Sequence, residues 1–234
     1  MRLADFLQNI ALGELSGSSM VDINSFEILA ANLPKVIQSI NQGLEYFYSN
    51  FVLKQNNITI QLRDGISHYY LDDIYALSNE SSTYTKYILD THDKPFTNDV
   101  IKILAVNGMN GYEFTLNDPY SISSIFTPEY NCIHVPNSLN EKYLSVRYQA
   151  AHPKIPLTEP LTSNVRINLP SSFNTALQTY VASLIYQNMG GNNVQIANNL
   201  FAKFKTLTEE LKLTGIGILP QVGNNIKPML RNWL

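Results

Sequence analysis

Apolar side chains recur at helical spacing at both ends of the chain and alternate with polar ones in the middle. Leu3, Phe6, Leu7 and Ile10 mark one face of a first helix, and Gly13 follows as a natural C-cap. Residues 14–24 are rich in Ser, Gly and Asn and read as a loop. A stronger stripe follows in Leu33, Val36, Ile37, Ile40, Leu44 and Phe47, extended by Tyr48 and Phe51. Asn32 stands where an N-cap is expected, and Pro34 where the first turn tolerates it. Gly43 interrupts the stripe, which weakens the helix but lets a neighbour approach closely.

The period changes at Phe51. Asn57 to Arg63 alternates polar and apolar residues and predicts a half-buried strand, which Asp64-Gly65 breaks. Tyr84 to Asp90, Val100 to Val106 and Tyr143 to Tyr148 predict further strands, and Asn107-Gly108 with Asn110-Gly111 a tight connection. Pro119, Pro128 and Pro136 confine the pieces between them to short or edge strands. The middle therefore reads as a small antiparallel sheet or barrel. Pro153, Pro156, Pro160 and Pro170 then predict an extended linker.

Helical spacing returns after Pro170. Phe173, Ala176, Leu177, Tyr180, Val181, Leu184 and Ile185 form a third stripe, closed by Gly190-Gly191. Val194, Ala197, Leu200, Phe201, Phe204, Leu207 and Leu211 form a fourth. The division is thus 1–50 for two helices, 51–150 for a β-rich module, 151–170 for a linker, 171–214 for two further helices and 215–234 for a tail. The fold class is α+β: a four-helix bundle with an inserted antiparallel module and an extended C-terminal arm.

Charge alters this picture in one place. Charged residues are 15% of the 234, against about 25% in an average protein. None lies between Arg166 and Lys203, so most of helices three and four is charge-free. Such a surface is buried either in the core or between subunits, because a monomer keeps one helix face for solvent. A biased codon composition is the alternative source of the low charge. The formal net charge is −3 and no Lys/Arg run occurs, which argues against a nucleic-acid grip.

Asp5 interrupts the N-terminal apolar run, and the pattern predicts no signal peptide. No window approaches the roughly 20 apolar residues of a membrane span. A soluble protein in an intracellular setting is expected.

The tail, 215–234, is broken by Gly217, Pro220, Gly223 and Pro228, yet it is apolar. Ile216, Ile218, Leu219, Met229, Leu230, Trp233 and Leu234 suit burial, and Lys227 and Arg231 suit a charged rim. Trp233 is the only tryptophan, a residue type favoured as an interface anchor. Either the tail folds back on its own domain or it docks on a partner.

Candidate chemistry is sparse. His68, His92, His134 and His152 lie far apart in the sequence, with no metal-ligand spacing. Cys132 sits in an alternating apolar stretch two residues from His134, and reads as a packed strand cysteine. Asp72-Asp73 is a pair of adjacent carboxylates, and neighbouring acids point different ways. There is no G-x-S-x-G, no phosphate loop and no G-x-G-x-x-G. No catalytic residue, metal or cofactor is expected.

Three groups of segments resemble the head-to-tail adaptor (neck) proteins of tailed bacteriophages. The first is Leu3-Ala4-Asp5-Phe6-Leu7 through Gly13-Glu14-Leu15-Ser16, with Tyr46 to Lys54. The second is Gln61 to Leu71, with Ser124 to Asn131. The third is Leu169 to Leu177, with Tyr180 to Ser183 and Asn188 to Asn192. They cover most of the chain in the right order and are most similar to the adaptors of short-tailed phages, sometimes called tail tubular protein A. The resemblance implies a virion structural protein, assembled in the host cytoplasm into a ring that is usually twelve-fold. That ring would sit between the portal protein and the downstream nozzle or tail proteins, or the tail fibres, with DNA passing through the lumen unbound. The C-terminal arm would reach onto the portal. The β-rich middle is large for the smaller adaptors, which leaves its contacts open. Another neck or tail-completion protein of the virion is the alternative, and a host-type binding module a further one.

Overall fold

The computed structural model describes residues 1–136, 139–158 and 164–217. It shows a mixed α+β fold in which four helices flank an eight-stranded module. Two apolar cores form, one in the bundle and one in the module.

Helix α1 (Leu3–Leu12) buries Leu3, Phe6, Leu7, Ile10 and Ala11, and Gly13 closes it as the spacing predicts. A 3-10 turn (Ala30–Asn32) leads into α2 (Leu33–Asn50). Asn32 is itself helical and makes no side-chain cap, contrary to expectation. The preceding turn supplies the start instead: Asn32 N–H donates to Leu29 O at 2.8 Å. Helix α2 buries Val36, Ile37, Ile40, Leu44, Phe47 and Tyr48, the predicted stripe. Gly43 is where α3 (Asn174–Met189) crosses: a Cβ there would collide with Leu177 Cδ1 and stand 3.1 Å from Tyr180 Cδ1.

The charge-free stretch divides in two. Helix α3 is the central helix, touching α1, α2 and α4 (Asn193–Leu213). It buries Ala176, Leu177, Thr179, Val181, Ala182, Ser183, Ile185 and Tyr186, so its apolar surface wraps around rather than forming the single predicted stripe. Its buried hydroxyls bond back into the helix, Thr179 to Thr175 O at 2.9 Å and Ser183 to Tyr180 O at 2.7 Å. No solvent face remains that would need charge. Helix α4 lies on the outside and buries only Ala197, Phe204, Thr208 and Leu211. Val194 and Phe201 of the predicted stripe are exposed, because that narrow seam alone meets α3.

The module runs β1 (Gln55–Gln61), β2 (His68–Tyr70), β3 (Ile88–Leu89), β4 (Val100–Gly108), β5 (Glu113–Phe114), β6 (Phe126–Glu129), β7 (Cys132–His134) and β8 (Tyr143–Ala150). The strand predicted over 84–90 shrinks to Ile88–Leu89, with Tyr87 packed between Tyr69 and Tyr75. Two antiparallel sheets form, ordered β3-β1-β8-β4-β5 and β2-β7-β6. They share one core that includes Ile60, Tyr69, Ile88, Val106, Ile125, Ile133, Leu144 and Val146. Gly111, at φ +80°, makes the β4–β5 turn.

Strand β4 departs from simple alternation. Its register against β8 slips at Ile101 and again at Leu104, each an unpaired extra residue. Two bulges carry Val100, Ile103 and Val106 to the module core, a period of three rather than two. They also release Ile101 to pack against the bundle core. On the same side Gln149 of β8 donates to Tyr48 O and Phe51 O, tying the sheet to the end of α2.

The described part of the Pro-rich stretch is bonded to the bundle. Ile155 exchanges two hydrogen bonds with the Asn41 side chain, at 2.9 and 2.8 Å. Ile167 N–H donates to Met1 O at 2.9 Å, and Leu3 N–H to Val165 O at 2.9 Å. Residues 159–163 fall outside the described residues.

Candidate assembly surfaces

The candidate surfaces follow from which apolar groups the two cores leave outside. On α4 the exposed apolar residues are Val194 at 43%, Ile196 at 44% and Phe201 at 41% relative exposure. Their surface neighbours Gln195, Asn198 and Asn199 are uncharged. Charge returns only at Lys203, which pairs with Glu14 at 2.7 Å, and at Lys205, 4.9 Å above the Phe201 ring. The first two turns of α4 therefore present an amide and hydrocarbon surface without charge.

The root of the arm is the second surface. Gly215 and Gly217 have φ of +71° and +75°, turning the chain after α4. Val52 N–H donates to Gly217 O at 2.7 Å, at the junction between α2 and β1. A Cβ on Gly217 would stand 2.8 Å from Phe51 Cβ, so glycine is required both by φ and by space. Of the arm residues singled out, Ile216 lies at this root and is exposed. Ile218, Leu219, Lys227, Met229, Leu230, Arg231, Trp233 and Leu234 lie outside the described residues.

The junction beside the root is polar and fully paired. Asp99 accepts from Lys54 at 2.9 Å, Asn56 at 3.1 Å and the Tyr148 hydroxyl at 2.9 Å. His152 sits close by, edge-on to Tyr48 at 5.3 Å. Its Nδ1 lies 2.6 Å from Pro153 O, and Asn168 N–H donates to its Nε2 at 3.4 Å. Those partners require the neutral tautomer with the proton on Nδ1. Burial holds the imidazole below its usual range, against the Pro153 bond, and the nearby Lys54 charge acts the same way as burial. The unfolded chain therefore binds a proton that the folded one resists. Stability is full above about pH 6.5 and falls as pH drops from there toward the lowered folded value. Urea midpoints at pH 7.5 and 6 should differ in the wild type and differ less in His152→Gln. An equal difference in both would show that His152 does not carry the effect.

The predicted chemistry-poor residues take structural positions. Burial pushes the Cys132 thiol up to about 11, so it is a protonated core group. Asp72 accepts from Ile74 N–H at 3.1 Å and opens a 3-10 turn (Asp73–Tyr75). His92 is exposed, 3.6 Å from Glu80. The remaining two histidines are not separate: His68 and His134 face each other across β2 and β7, rings 4.5 Å apart. Nothing in their local spacing signals that pairing. Among the described residues no group of three or more His, Cys, Asp or Glu side chains is placed to hold an ion. No described helix is long and apolar enough to cross a membrane.

No protein-family model matches the sequence, and a comparison with curated proteins finds no match.

Proposed function

We propose that this chain is a non-catalytic structural subunit that assembles into a ring, as a head-to-tail adaptor between the portal and the tail of a phage virion. The observation that carries the reading is the uncharged surface of the first turns of α4, where Val194 and Phe201 on one flank and Ile196 on the other stay exposed. A helix face left to water normally carries charge, whereas a face repeated against a neighbour loses it. A heterologous contact of this kind closes into a ring when its rotation does. The lack of any Lys/Arg run suits a lumen through which DNA slides without being held. The resemblance of the Leu3 to Ser16, Gln61 to Leu71 and Leu169 to Leu177 segments to neck adaptors supplies the rest of the assignment.

In this reading residues 215–234 are the portal-docking arm, with Trp233 its anchor and Lys227 and Arg231 at the rim. Gly217 holds the root of the arm against Val52. Ending the chain after Gly217 keeps that bond. The shortened subunit should fold with unchanged circular dichroism yet lose attachment to portal in a pull-down. Light scattering should give a ring mass for the full-length subunit, alone or on adding portal. A strict monomer under both conditions would sink the adaptor reading, and portal binding undiminished by truncation would remove the arm from it.

A further inference from the structure

We propose that His68 and His134 form a two-imidazole site for a divalent transition-metal ion of the Ni²⁺, Cu²⁺ or Zn²⁺ class, on the outer face of the three-stranded sheet. The two residues stand directly opposite each other in the β2–β7 ladder, where facing Cβ atoms are about 4.5–5.5 Å apart. Their rings lie 4.5 Å apart, inclined by 38°. An ion takes an imidazole nitrogen at about 2.0–2.1 Å, so two nitrogens on one ion lie within about 4 Å of each other. Ring centroids this close leave a nitrogen of each ring within reach of one ion, once rotation about the soft terminal torsions turns the two nitrogens together.

The surroundings fix which His68 nitrogen serves. Ser67 Oγ lies 3.0 Å from His68 Nδ1. It occupies that atom and leaves Nε2 free, the arrangement in which metal-bound histidines are commonly oriented. Phe126 pairs with His134 on its other side, rings 6.4 Å apart, and backs it toward His68. His68 is exposed and His134 half-buried, so an ion reaches the pair from solvent. No third protein ligand joins them among the described residues, and water completes the coordination. Imidazole ligands favour Ni²⁺, Cu²⁺ and Zn²⁺ over Mg²⁺ and Ca²⁺.

The site clips two strands of three residues each. Sheets this short depend on outside support. The unfolded chain does not hold the two imidazoles together, so the ion stabilises the folded module. This inference stands apart from the adaptor reading and uses none of it.

The test titrates the full-length protein with Ni²⁺, following binding by calorimetry and unfolding by thermal melting. Wild type should bind one ion per chain. Above the dissociation constant, Tm should rise about 3–5 °C for each tenfold increase in metal, and a chelator should reverse the rise. His68→Ala removes an exposed ring and leaves the packing intact; it should abolish the shift, as should His134→Gln. Ser67→Ala should weaken binding by about 10–100-fold. His92→Ala should bind like wild type, and Mg²⁺ should do nothing. No saturable binding by the wild type, or a metal response unchanged in His68→Ala, would overturn the proposal. Should His134→Gln not fold, His68→Ala decides the outcome alone.

Discussion

Replacing Phe47 by alanine is expected to destabilise the subunit by about 3–5 kcal/mol. Phe47 is fully buried at the centre of an aromatic cluster. Its ring lies 5.6 Å from Tyr46, 5.3 Å from Phe173, 6.2 Å from Phe51 and 6.0 Å from Phe204. Three of those partners lie on other elements or at the end of α2, so α2, the turn into α3 and α4 all converge on this one side chain. Truncation removes its transfer energy and leaves a cavity that rigid neighbours do not fill. Domains are stable by only about 5–15 kcal/mol, so the loss is a large share of the total. Tm should fall by about 6–20 °C. Tyr120→Ala is the control, since Tyr120 is 96% exposed and should change stability by no more than about 0.5 kcal/mol. Equal effects at the two positions would show that the aromatic cluster does not organise the bundle.

The double substitution Val194→Glu, Phe201→Glu, on one face of α4, should leave the subunit folded and abolish its assembly. Both side chains are more than two-fifths exposed, so neither substitution opens a core cavity. Val194 lies in the first turn of α4, where the helix dipole favours an acid. A glutamate at 201 has Lys205 four residues on, a favourable helix pair. Folding should therefore change little. An interface formed by this face would instead bury two unpaired carboxylates per contact, costing several kcal/mol each. At about 1.4 kcal/mol per tenfold, each contact would weaken by roughly a hundredfold or more. Sedimentation of wild type and variant, with and without portal, checks this. A variant that assembles like the wild type would place the subunit interface elsewhere, and the adaptor reading would lose its main support.

The bundle was legible in the sequence wherever one face of a helix decides the matter. The stripes of α1 and α2 needed only the spacing of Leu3 to Ile10 and of Leu33 to Tyr48, and Gly43 announced a close crossing that α3 makes. The β4–β5 turn followed from Asn107-Gly108 and Asn110-Gly111, because a positive φ at Gly111 is a local demand. The charge-free stretch from 167 to 202 carries no sign of where core gives way to rim. Absence of charge says that water is excluded, and not whether the neighbour is α2 or another subunit. Only packing put α3 at the centre and α4 at the rim.

The arm stands out in the sequence by its apolar content and by the charges of Lys227 and Arg231, and of its singled-out residues only Ile216 falls among the described ones. His68 and His134 had no spacing to betray them, since each pattern around them is short and ordinary. Helix periodicity and turn chemistry are properties of consecutive residues, and the sequence by itself determined them: four helices, a β-rich middle and their order. Register is a property of two strands at once. Only the tertiary structure decided that β4 slips twice against β8, sending Ile101 to the bundle, and that β2 meets β7 with one imidazole opposite the other. The reason is physical: burial rewards any fit that excludes water, so local pattern fixes which face is buried while the facing surface fixes what it is buried against.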